Sequence, residues 1–89
     1  MKKEIKEKAI RRLKILEGQI HGLGRMVEKD EYCIDILQQS SAAKQALSGI
    51  EDLILENHLS THVIGQIKAG NGPRAAKEIL AIYKLSKKK

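Results

Sequence analysis

The chain has 89 residues, a formal net charge of +6, one cysteine, two tyrosines and neither Phe nor Trp. That length bounds it to a single domain, expected over residues 1–89, and its small core makes association with further copies reasonable. No run of 18 or more apolar residues occurs, which excludes a membrane-spanning helix. The opening "MKKEIKEKAIRRLK" lacks the apolar stretch of a secretory leader, and one cysteine cannot close an internal disulfide, so a cytoplasmic location is expected.

The charge is unevenly spread. Residues 1–14 carry +5, residues 28–56 carry −5 and residues 57–89 carry +6. Basic ends fit a polyanion such as DNA; the plainer reading is that they keep a helical protein soluble.

The first predicted element covers about residues 4–28. Ala9, Leu13, Leu16, Ile20, Leu23 and Val27 recur at steps of three and four, the seam of an amphipathic helix. A basic stripe of Arg11, Lys14, His21 and Arg25 lies opposite, flanked by Lys8, Arg12 and Gln19. "EKDEY" (28–32) breaks the pattern, with Asp30 a plausible N-cap for the next helix.

The second element is a long helix over about residues 32–69, with bends expected at Gly49 or Gly65. Ala43, Leu47, Ile50 and Ile54 form its seam, and Ala46, Leu53 and Ile64 widen it, so neighbours on more than one side are expected. "GNGP" (70–73) is a stop and restart: Gly70 suits the left-handed position after a helix and Pro73 the first turn of the next. The third helix, about 73–86, is expected to turn Ala76, Ile79, Leu80 and Tyr83 inward.

"NHLSTH" (57–62) sets His58 and His62 four residues apart, on one face of the helix. A hydrolytic zinc helix needs a Glu beside the first histidine, and Leu59 stands there instead. The remaining soft donor is Cys33, at a helix start, where thiolate is favoured. Cys33 and His58 are 25 residues apart, roughly 37 Å along a continuous helix at ~1.5 Å per residue. Two copies paired antiparallel along this helix, centred near Ala46 and Leu47, would bring Cys33 of one chain to the partner's His58 and His62. Such a donor set suits Cu(I), and Zn(II) and Ni(II) also accept it. His21 falls on the basic stripe and is the weaker ligand candidate. The bland reading of His58 and His62 is two polar residues near a helix end.

With "RLKILEGQIHGLGRMVEKDEYCIDILQQSSAAKQAL" and "LILENHLSTHV", the chain resembles the copper-sensing operon repressor (CsoR) family and its nickel/cobalt- and formaldehyde-sensing relatives. The resemblance implies an all-α, three-helix protomer with a long second helix. It further implies an antiparallel dimer with a four-helix-bundle core, and a dimer of dimers (a homotetramer). It implies a metal-responsive repressor that binds operator double-stranded DNA and releases it on binding the inducer. The family's ligands fall on Cys33, His58 and His62; the last departs from the Cys common in copper sensors. Tyr32 and Glu78 occupy the positions that couple the site to the fold. The DNA-contacting positions fall on Arg11, Arg12, Lys14, Lys44 and, more weakly, Gln19. Lys2 stands where formaldehyde sensors carry proline, and no N-terminal histidine of the nickel/cobalt type is present. Nickel/cobalt or zinc sensing within the family remains an alternative, as does a metal buffer or chaperone without DNA binding. An enzyme is not expected, because no orienting acid or oxyanion loop accompanies Cys33 and His58.

Overall fold

In the computed structural model, which describes residues 1–87, every regular element is helical. Helix α1 spans Lys3–Glu28 and α2 spans Cys33–His58; a π-helical segment, Leu59–Val63, leads into the short α3, Ile64–Lys68; α4 spans Gly72–Ser86. No described helix is long and apolar enough to cross a membrane.

The long second helix is interrupted at Leu59–Val63, and not at Gly49 or Gly65. There the Ile64 N–H reaches five residues back to the Leu59 carbonyl, the bond of a π-turn. The cause lies in the local sequence. The Ser60 and Thr61 hydroxyls donate to the Asn57 carbonyl at 3.1 and 2.7 Å, competing with the backbone donor that would continue a regular α-ladder.

Both turns close helices through backbone bonds. After α1, the Asp30 N–H bonds the Val27 carbonyl and the Glu31 N–H bonds that of Met26, with Asp30 at φ 54°. This is the Schellman pattern, and Asp tolerates the left-handed conformation better than most residues. Asp30 therefore ends α1 and does not cap α2; Tyr32 precedes α2, and its carbonyl accepts the Asp35 and Ile36 N–H groups. The same pattern recurs at Gly70 (φ 81°), where Gly70 and Asn71 bond the Ile67 and Gln66 carbonyls. Pro73 sits in the first turn of α4.

The chain forms two compact units, Met1–Leu55 and the residues from Glu56 onward. In the first, the four-residue turn makes an αα-hairpin. Its core is Ala9 and Leu16 of α1 with Ala43 and Ile50 of α2, and Ala46 and Leu53 pack against them. The apolar seam expected along α1 divides: Ala9 and Leu16 are buried, whereas Leu13, Ile20 and Val27 stay exposed. The seam of α2 divides likewise, with Leu47 and Ile54 exposed. Each apolar stripe is wider than one neighbour covers, so the hairpin buries only one edge of it.

In the second unit, Val63 and Ala75 are buried. The inward side of α4 is Ala75, with Glu78 and Ile82 partly buried, in place of the expected Ala76, Ile79, Leu80 and Tyr83, which are exposed. The physical reason is polar: α4 turns Glu78 inward, where side chains from the preceding helical segments bind it.

Candidate metal centre

His58 is the last residue of α2, and His62 lies in the π-helical segment. Their rings stack, with centroids 5.2 Å apart and planes 28° from parallel. The shared face expected from their spacing is therefore present. His58 Nε2 lies 3.0 Å from Glu78 Oε2 on α4, both side chains about one-third exposed. Glu78 Oε1 accepts from Gln66 Nε2 at 3.1 Å and lies 3.6 Å from Arg74 Nε, one helical turn back on α4.

These contacts set the electrostatics. The Gln66 amide and then the His58 ring hold the Glu78 carboxyl below its ordinary value of 4.5; partial burial opposes them and the charges of His58 and Arg74 reinforce them. An ionised carboxylate can only accept, so His58 donates through an Nε2–H. In the neutral ring Nδ1 then keeps its lone pair, the form a metal-ligating histidine takes when a carboxylate holds its other nitrogen. His62 has no hydrogen bond or ion pair among the described residues, and its imidazole can also act as a donor to a metal.

The other expected donors are in the first unit. Cys33 opens α2 as a free, exposed thiol. Tyr32, just before it, is 71 % exposed. Among the described residues no group of three or more His, Cys, Asp or Glu side chains converges within the chain. His21 is exposed on α1 and pairs with Glu17 at 3.8 Å.

Arg11, Arg12, Lys14 and Lys44 are all exposed, and none pairs with an acid among the described residues. Arg11 and Lys14 flank a shallow depression with Glu7, Ile10 and Ile15. Gln19 differs from them: it is partly buried, and its Oε1 is shielded from solvent without a partner among the described residues. Gln66 and Arg74 also engage Glu78, and neither carries a signal in the sequence. Gln66 acts on a residue twelve positions away on another helix, which no local pattern encodes.

The sequence pattern of metal-sensitive transcriptional repressors matches residues 5–85. The chain belongs to that family. This is a family of transcriptional regulators rather than enzymes. Within it, the chain is 42 % identical over 79 residues to the copper-sensing transcriptional repressor CsoR of Bacillus subtilis, covering 89 % of this chain and 78 % of that protein. It is 43 % identical over 70 residues to the copper-sensing repressor RicR of Mycobacterium tuberculosis, covering 79 % and 72 %. Its fold matches the crystal structure of CsoR with Cu(I) from Geobacillus thermodenitrificans with a TM-score of 0.92 at 39 % identity, over 99 % of this chain and 92 % of that one.

Proposed function

We propose that this family member is a copper-responsive repressor, which binds operator DNA as a homotetramer and releases it when Cu(I) binds. The observation that carries the reading is the His58–Glu78 contact beside His62 in a chain of this family. The donor set fits the metal: one free thiol, and two imidazoles of which His58 has a nitrogen free while the other is held. Cys33 of one protomer and the partner's His58 and His62 would hold it, and Cu(I) would supply a soft centre linking the two chains. Tyr32 and Glu78 connect the site to the fold, Glu78 through His58.

Several observations support the assembly and the DNA interface. Leu37, Leu47 and Ile54 leave an apolar stripe exposed on α2, and Leu13 and Ile20 leave another on α1. Exposed apolar stripes of this kind mark association surfaces, and Leu47 lies at the expected centre of an antiparallel pair. Arg11, Arg12, Lys14 and Lys44 supply free positive charge for phosphates, with Gln19 contributing at most its amide N–H. The protein acts in the cytoplasm, where its DNA is.

The imidazole of His62, standing where copper sensors commonly carry a thiolate, favours a second reading: Zn(II) or Ni(II) as inducer. One titration separates these. Fluorescence anisotropy of a duplex from the promoter of its own gene is measured at buffered free Cu(I), Zn(II) and Ni(II). Cu(I) lowers affinity roughly 5- to 150-fold, for a coupling of ~1–3 kcal/mol. Release by another metal alone would replace the copper reading, and a protein that never binds the duplex would leave a metal buffer.

A further inference from the structure

The carboxylate that meets His58 is itself held from a second direction. Gln66 Nε2 donates to Glu78 Oε1, so that oxygen is engaged and Oε2 is left to His58. The amide has one workable orientation. Turned over, its carbonyl oxygen would face the carboxylate, acceptor against acceptor. In the orientation adopted, Gln66 Oε1 is shielded from solvent and meets no hydrogen-bond partner among the described residues. The backbone is fixed as well: the Gln66 carbonyl accepts the Asn71 N–H at 2.8 Å in the turn leading to α4, the helix that carries Glu78. Arg74 cannot do the same work as well, being 66 % exposed with its Nε at 3.6 Å from Oε1.

We propose that Gln66 is a positioning residue for His58: by holding one oxygen of Glu78 it aims the other at His58 Nε2, and so fixes the imidazole tautomer that leaves Nδ1 free for the metal. The metal half of this inference rests on the copper-site reading above. The tautomer half rests on the His58–Glu78–Gln66 contacts alone. Without the amide donor, the carboxylate can rotate toward Arg74 and solvent, and the neutral imidazole exchanges its proton between the two nitrogens.

The test uses two variants of the full chain. Gln66→Met keeps length and removes the donor; Gln66→Lys keeps a donor. Imidazole 15N chemical shifts of His58, recorded without metal at a pH above the ordinary histidine range, report the tautomer directly. Wild type and Gln66→Lys give the Nε2–H form, and Gln66→Met gives a mixture. Competition for Cu(I) with bicinchoninate then shows affinity about 10- to 100-fold weaker in Gln66→Met, with Gln66→Lys near wild type. A Gln66→Met protein that keeps the single tautomer overturns the proposal, and so does one with an altered tautomer and wild-type Cu(I) affinity. If wild type binds no Cu(I), the copper reading fails by itself and the tautomer comparison still decides the role of Gln66. If far-UV circular dichroism finds Gln66→Met unfolded, a folded Gln66→Lys without the Nε2–H form overturns the proposal.

Discussion

His58 Nε2 and Glu78 Oε2 lie 3.0 Å apart although the residues are separated by 20 positions and stand on different helices. A polar side chain from α4 is thereby tied to an imidazole at the end of α2, so a change at His58 is transmitted to α4 through one bond. The proposed coupling of metal binding to DNA affinity would run through this bond, and a single substitution can cut it.

Glu78→Gln weakens that link. Operator affinity measured by anisotropy is expected to stay near wild type without metal. The drop caused by Cu(I) is expected to shrink from roughly 5- to 150-fold toward unity. A full-sized drop in the variant removes Glu78 from the coupling. The same substitution has a pH signature. The folded carboxyl titrates below its ordinary value of 4.5, so its contribution to stability is fully present above that value and is lost as pH falls through the lowered one. Thermal melts of wild type and Glu78→Gln should therefore differ at neutral pH and converge in acid.

Cys33→Ala separates fold from response. The thiol is exposed and without a partner among the described residues, so unfolding free energy should change by no more than about 0.5 kcal/mol. Thiolate-to-copper charge-transfer absorption should vanish, and Cu(I) should no longer release the duplex. Retained release would remove Cys33 from the ligand set.

Ile50 and Leu47 lie three positions apart and should behave oppositely. Ile50 is 2 % exposed in the hairpin core, so Ile50→Ala should cost about 2–5 kcal/mol in denaturant unfolding. Leu47 is 44 % exposed in the protomer. Leu47→Glu should leave the hairpin helical while shifting sedimentation velocity profiles to smaller species. An unchanged assembly would place the contact between copies elsewhere.

Arg11 tests the electrostatic share of DNA binding. If it contacts one phosphate, Arg11→Ala lowers the slope of log affinity against log salt by about 0.9. The response to Cu(I), expressed as a ratio, should persist. An unchanged slope takes Arg11 out of the interface.

Much of this was legible in the sequence, because short-range periodicity governs helix extent and the two stop signals. Gly70 and Pro73 act as their chemistry requires. His58 and His62 share a face because their spacing does. Other features were hidden for identifiable reasons. The apolar run on α1 reads as one seam, but periodicity cannot tell which edge a hairpin buries and which it leaves exposed. Asp30 is a good cap residue and also a tolerable left-handed residue, and the turn selected the second property. Hydropathy points to the wrong inward face of α4 because Glu78 draws the helix round through polar contacts that hydropathy does not register.

The π-helical segment also resets the angular phase of the helix. His58 and Gln66 are eight residues apart, which in an uninterrupted α-helix leaves them about 80° apart around the axis. One extra residue accommodated in a π-turn makes eight residues count as seven, and seven return to within about 20° of the starting direction. The two side chains can then meet the two oxygens of one carboxylate. The hydroxyls of Ser60 and Thr61 thus act as a vernier, setting by one residue which side chains Glu78 can reach.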